Sequence, residues 1–153
     1  MTGKGLATEH ESVDASPGLV LWQVTNRWQA AQRAALKPFG LTHVQFVLLA
    51  SLTWLDAEGP VTQRSLAAHA ATDEMMTSQV LRALEAAGLV ERGPHPTDRR
   101  ARALQVTPAG RELANRAVGA VEACDRAFFA ALPDAAAFTA ELVQLRDAAT
   151  TPA

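Results

Sequence analysis

A single cysteine, only two lysines and no apolar run long enough to cross a bilayer are the first things this 153-residue chain goes without. With Cys124 alone, no intramolecular disulfide can form. The residues one helical turn away from it (Ala120, Val121, Ala127 and Phe128) supply no cation to stabilise a thiolate, so Cys124 reads as a packing residue. The four histidines, His10, His43, His69 and His95, share no metal-ligand spacing with one another or with Cys124, and neither a metal nor a cofactor is expected. Residues 1–17 have no apolar signal-like core, and the apolar stretch 46–55 falls well short of the ~20 residues a spanning helix needs. A cytoplasmic protein without a membrane partner is the expectation. No nucleophile elbow, paired-carboxylate motif or phosphate loop is present, which argues against an enzyme. Excess positive charge is missing too: the net charge is −2 and the isoelectric point near 6.1, whereas nucleic-acid-binding domains are usually basic. Distribution outweighs the sum, however. Arg92, Arg99, Arg100 and Arg102 all fall within one eleven-residue segment.

That segment belongs to the stretch around which the chain is organised, residues 73–107. Asp73 is a good N-cap, a helix follows to Ala87, and Gly88 ends it. On a helical wheel Met76, Thr77, Val80, Leu81, Ala83, Leu84 and Ala87 share an inward arc, with Thr77 at its edge. Met75, Ser78, Gln79, Arg82 and Ala86 share the outward one. Hydroxyl, amide and guanidinium groups on one helix face are the chemistry that reads base edges in a major groove, Gln pairing with adenine and Arg with guanine. The alternative for this face is ordinary solvation. Leu89–Arg92 and Ala101–Thr107 then read as paired strands joined by a loop, Pro94–Arg100, rich in turn formers. An arginine-tipped hairpin beside such a helix is the plan of a winged helix-turn-helix, in which the helix enters the major groove and arginines of the arm can reach the minor groove. Upstream, Thr62 caps a short helix, Gln63–Ala70, and a tight turn at Ala71 and Thr72 completes the helix-turn-helix unit. Arg64, at the start of that short helix, is a candidate phosphate anchor.

The remaining elements are helical. Residues 1–16 read as a flexible tail and 17–153 as one domain. A helix from about Pro17 to Lys37 places Leu21, Val24, Trp28, Ala31 and Ala35 on one face, with Trp22 off it. Thr42 caps a second helix to about Trp54, apolar on nearly every side and expected to be central and buried. Pro60 and Val61 fit a short strand beside the wing. Thr107 and Pro108 open a long helix to about Ala131, roughly 36 Å at ~1.5 Å per residue. A last helix spans about Asp134 to Asp147, and the residues beyond it are expected to fray. The winged unit, about residues 60–107, is thus flanked by helices (about 17–37 and 108–147) longer than it needs. Their apolar faces call for a partner, most simply a second copy of the chain.

The run LEAAGLVERGPHPTDRRARALQVTPAG, together with GLTHVQFVLLASL upstream, resembles the MarR (multiple antibiotic resistance regulator) family. The resemblance extends from about Gly18 to the C-terminal helices. It implies a mainly helical fold with a β-hairpin wing, a homodimer interlocked through the first and last two helices, and repression of transcription at a pseudo-palindromic operator in double-stranded DNA. Asp98 and Arg100 match the family's D-x-R wing pattern, which implies an aspartate that braces the hairpin through salt bridges and an arginine that enters the minor groove. Arg99 and Arg102 read as phosphate contacts. The resemblance also implies a small apolar, aromatic or phenolic effector held between the first two helices and the helix after the wing. Trp22, His43, Phe46 and Trp54 are the candidates to hold it, alongside Trp28 and Phe39, although Trp28 and Phe46 equally fit a plain core role. The competing function is a winged-helix module that binds protein and not DNA, which the acidic isoelectric point suits and the wing arginines oppose.

Overall fold

A computed structural model of the protein describes residues 5–149. Residues 1–4, part of the N-terminal tail, and 150–153, part of the stretch expected to fray, lie outside the described residues. Six α-helices and one hairpin follow in the order α1 (Pro17–Leu36), α2 (His43–Asp56), α3 (Gln63–Ala70), α4 (Glu74–Ala86), β1 (Val90–Pro94), β2 (Arg102–Val106), α5 (Pro108–Phe129) and α6 (Ala135–Ala149). Single 3-10 turns, Val13–Ala15 and Lys37–Phe39, precede and follow α1.

Every α-helix begins at a side-chain cap, which is why its start was readable. Ser16 Oγ accepts from Leu19 N–H, Asp73 Oδ1 from Met76 N–H at 2.7 Å, Thr107 Oγ1 from Gly110 N–H and Asp134 Oδ1 from Ala137 N–H. Thr42 with Gln45, and Thr62 with Ser65, form reciprocal capping boxes at α2 and α3. Each cap contributes about 1 kcal/mol. The turn between α3 and α4 passes through Ala71 at φ +54°, the only described non-glycine residue in the left-handed region.

The core lies where α2, α4 and α5 meet the hairpin. Leu36, Leu48, Leu49, Leu52, Leu66, Leu81, Leu84 and Leu104 are all at or near zero exposure, and each contributes about 1.5–3 kcal/mol on burial. The strands pair antiparallel, Val90 opposite Val106 and Pro94 opposite Arg102; β1 starts one residue later and ends two residues later than the Leu89–Arg92 expected, so Pro94 belongs to the strand and not to the loop. Val61 adds a single bridge to Leu104, whose N–H donates to the Val61 carbonyl at 2.7 Å. At the hairpin base, Thr107 N–H donates to the Leu89 carbonyl and Thr107 Oγ1 to the Gly88 carbonyl. Gly110 sits against the same carbonyl: a Cβ there would lie 2.1 Å from Leu89 O.

The two ends of the chain are packed differently from the middle. On α1 the buried residues are Gln32 and Leu36, whereas Leu21, Trp22 and Val24 are exposed. Of the apolar arc read on α1, Trp28, Ala31 and Ala35 are half-buried in the protomer, and Leu21 and Val24 are left exposed. α6 buries none of its residues, and Leu142, Val143 and Leu145 are exposed. No single described helix is long and apolar enough to cross a membrane.

Candidate nucleic-acid interface

α4 is held from below by its inward residues. Leu81 and Leu84 enter the core, and Thr77, at the edge of the wheel's inward arc, is fully buried. Its Oγ1 donates to the Asp73 carbonyl at 2.7 Å and lies 2.7 Å from Thr72 Oγ1, stitching the helix to the turn before it. Met76 and Ala83 are exposed, so the inward arc is narrower than the wheel indicates. On the other face Met75 is 74% exposed and Gln79 and Arg82 are exposed, while Ser78 is half-buried. Arg82 Nη2 donates to Ser78 Oγ at 3.0 Å, which holds the guanidinium along the helix one turn toward its N-terminus. Arg64 is exposed on α3, beside this face in the helix-turn-helix unit.

The wing projects from the same side. Arg92, at its base, is not available for contact. Its Nε donates to Glu85 Oε1 at 2.8 Å and its Nη2 to Gln63 Oε1, tying β1 to α4 and α3. Asp98, Arg99, Arg100 and Arg102 are exposed at and after the tip. Among the described residues no ion pair involves Asp98. Its side chain braces the turn instead, Oδ1 accepting from the Arg100 backbone N–H at 2.9 Å, where salt bridges were expected. His95, which pattern reading passed over, completes the turn: its Nδ1 accepts from Thr97 N–H and Asp98 N–H. Arg64, Arg82, Arg99, Arg100 and Arg102 are exposed and form no ion pair among the described residues.

Behind this face lies a cleft of about 550 Å³, lined by Trp28, Gln29 and Arg33 of α1, Thr42, His43, Val44 and Val47 around the start of α2, and Ala70, Thr72 and Met76 of the helix-turn-helix unit. The volume lies within the range of small-molecule sites. Trp28 packs edge-to-face on His43, ring centroids 5.0 Å apart. Its indole N–H donates to Asp125 Oδ1 at 2.8 Å, and Gln32 Nε2 donates to the same oxygen, so α5 fixes the orientation of the Trp28 ring. The four predicted effector residues do not converge. His43 lines the cleft, Phe46 is buried in the core, and Trp22 is exposed on α1 away from it. Trp54, 72% exposed, borders a separate hollow between α2 and α5 of about 310 Å³, with Ala114, Asn115, Val118 and Glu122.

These elements match known proteins. The MarR family model matches residues 41–101, which run from the start of α2 through the wing tip. The HTH-type transcriptional regulator YdcH of Bacillus subtilis is 47% identical over 119 residues, 77% of this chain and 81% of YdcH. The chain belongs to the MarR family. A transcriptional repressor of Mycobacterium tuberculosis is 36% identical over 120 residues, 78% of this chain and 84% of its own length. Among solved structures, CouR from Rhodococcus jostii bound to p-coumaroyl-CoA superposes with a TM-score of 0.80 at 26% identity, covering 94% of this chain and 99% of CouR. CouR bound to a 23-mer DNA duplex gives 0.75, also at 26% identity, covering 93% and 98%. The protein is therefore a winged helix-turn-helix transcriptional regulator of the MarR family, a family of regulators and not of enzymes. The MarR match stops at Ala101, so it spans α4 and the wing tip but not α1, which supplies Trp28, Gln29 and Arg33 to the cleft. Trp28 was named as an aromatic candidate, but nothing in the local pattern of α1 singles out Gln29 and Arg33 beside it, because their common wall exists only once α2 and the α3–α4 turn are in place.

Proposed function

We propose that the protein is a cytoplasmic homodimeric repressor that binds a pseudo-palindromic operator through α4 and the wing, and that a small aromatic ligand in the cleft beside α4 releases it. The observation that carries the DNA-binding reading is the set of exposed arginines on α3, α4 and the wing that form no ion pair among the described residues. Met75, Ser78, Gln79 and Arg82 are placed for the major groove, Arg100 for the minor groove, and Arg64, Arg99 and Arg102 for phosphates, with Asp98 shaping the turn that presents them. Two-fold assembly is supported by α6. A 15-residue helix with no fully buried residue, held in its own protomer mainly by the half-buried Phe138 against Phe129, is marginal in water, and its exposed Leu142, Val143 and Leu145, with Leu21, Trp22 and Val24 of α1, supply an apolar surface for a second copy. CouR's DNA-bound and p-coumaroyl-CoA-bound structures support the pairing of DNA with a small effector.

Release follows from the position of the cleft. Thr72 and Met76 line it, and Thr72 is joined to Thr77 of α4 by a 2.7 Å hydrogen bond. A ligand that prefers one position of this turn shifts the equilibrium by its difference in affinity for the two. A 100-fold loss of DNA affinity needs ~2.7 kcal/mol of coupling, within reach of one buried aromatic ring. His43 serves this cleft; Trp22, Phe46 and Trp54 support the fold, the dimer or the second hollow. The test of DNA binding is the salt dependence of affinity. Three phosphate arginines per protomer in a dimer predict a slope of log K against log salt of about −5. A slope near zero would favour the protein-interaction module.

A further inference from the structure

Where β1 and β2 part, the chain turns without strand pairing, and its amides need other acceptors. Pro96 has no N–H to place. The N–H groups of Thr97 and Asp98 both donate to His95 Nδ1, at 3.2 and 3.0 Å, and the Thr97 hydroxyl lies 3.5 Å from the same nitrogen. Arg100 N–H donates to Asp98 Oδ1 at 2.9 Å, and Ala101 N–H to the Asp98 carbonyl at 3.3 Å. The bonds run in series: the His95 ring fixes the backbone at Asp98, and Asp98 fixes the backbone at Arg100. His95 is half-buried, whereas Asp98, Arg99 and Arg100 are exposed, so little packing holds the tip if these bonds go. A ring nitrogen that accepts hydrogen bonds carries no proton, so the turn is built on neutral histidine with its hydrogen on Nε2; in the imidazolium both nitrogens are donors.

Resting on the wing contacts proposed above, we infer that His95 is a positioning residue for DNA binding: its unprotonated Nδ1 holds the wing tip in the form that presents Arg99 and Arg100 to the duplex, and protonation of the ring undoes that form. Protonation replaces the acceptor with a donor that faces two N–H groups, and both bonds are lost. A tip without this brace has to be ordered at the moment of binding, at a cost in entropy that weakens every complex alike. The wing's other charges are Glu91, Arg92, Asp98, Arg99, Arg100 and Arg102, and among the described residues none forms an ion pair with His95. From behind, the hollow lined by Pro94 and Pro96 brings in one charged group, Asp56 of α2, which is turned to Val106 N–H and Arg111. The sign of the pH effect separates the brace from plain electrostatics. An added positive charge beside DNA would by itself tighten binding; loss of the brace weakens it as pH falls. Asparagine is the discriminating substitution: its Oδ1 is bonded to Cγ, as Nδ1 is in histidine, and it accepts from backbone amides further along a turn without titrating.

The test compares His95→Asn and His95→Ala with the unaltered full-length protein, and takes Arg100→Ala as the control. Binding is read by fluorescence anisotropy on a duplex recovered from a randomised pool by the unaltered protein, at about pH 8 and about pH 5.5, either side of the ordinary histidine range. Melting curves taken alongside show that each variant is folded. At the higher pH His95→Ala is expected to bind about tenfold more weakly, and His95→Asn to stay within about twofold of the unaltered protein; tenfold is ~1.4 kcal/mol, within reach of two bonds in each of two wings. At the lower pH the unaltered protein should fall about tenfold below His95→Asn. Equal or tighter binding by the unaltered protein than by His95→Asn at the lower pH would overturn the proton dependence. Full affinity of His95→Ala at the higher pH would overturn the brace itself. If Arg100→Ala also keeps full affinity, the wing contacts proposed above fall with it; if Arg100→Ala alone weakens binding, those contacts stand and the role of His95 is wrong.

Discussion

Adding one methyl group at Gly110 tests how the wing is anchored to the rest of the molecule. Gly110 lies in the first turn of α5, where its backbone passes the loop between α4 and β1. A Cβ built there sits 2.1 Å from Leu89 O, 3.0 Å from Leu89 C and 3.0 Å from the Val106 side chain, whereas ordinary contact begins near 3.4 Å. The obstacle is backbone, so no rotamer relieves it, and α5 must move away from the α4–β1 turn by more than 1 Å. That movement strains the hydrogen bonds from Thr107 N–H to Leu89 O and from Thr107 Oγ1 to Gly88 O. Overpacking of this kind costs about 1–3 kcal/mol, and each hydrogen bond weakened adds up to ~1. Gly110→Ala should therefore destabilise the protein by about 3 kcal/mol and lower Tm by roughly 6–12 °C. Gly119, on the same helix with nothing within 4 Å, is the control. Gly119→Ala should stabilise by about 0.5–1 kcal/mol, because alanine is the better helix former. Both variants are melted by circular dichroism at one protein concentration, since dimerisation makes Tm concentration-dependent. Equal melting temperatures for the two would refute the close approach of α5 to Leu89.

Further outcomes follow from the interface and the turn. Gln79→Ala should change which bases are preferred, read by selection from a randomised duplex pool. Arg100→Ala should weaken binding to all duplexes and flatten the salt slope by about one unit per lost contact, so about two units in a dimer; affinity within about twofold of the unaltered protein would contradict its place in the groove. Ala71→Gly should raise stability by about 0.5–1 kcal/mol, because alanine pays about 1–2 kcal/mol at the left-handed φ observed there and glycine does not; a drop in Tm would contradict the turn geometry.

The elements were legible because local chemistry decides them. Asp73, Thr62, Thr107 and Gly88 mark helix ends through groups within a few residues, and the spacing of Leu81 and Leu84 shows which side of α4 is inward. What periodicity does not show is which surface will cover a face. Leu21 and Val24 share an arc with Trp28, yet only the second half of α1 meets its own protomer's core. Thr77 looked borderline on the wheel and is fully buried because two hydroxyls and a carbonyl satisfy one another there. The cleft proposed to hold the effector was the least readable part. Trp28, Arg33, His43 and Met76 come from three different helices, and counting aromatics alone pointed to Phe46 and Trp54, which the packing sends to the core and to another hollow.

The central claim is that two copies of this chain read two half-sites on one face of a duplex. Genome-wide mapping of the DNA the protein occupies, followed by footprinting of an enriched site with purified protein, tests it most directly. The account predicts enriched pseudo-palindromes, protection of both halves with centres ~34 Å apart, about one helical turn, and two protomers bound per duplex. Occupied sites without two-fold symmetry, or protection of a single half-site by a monomer, would contradict it.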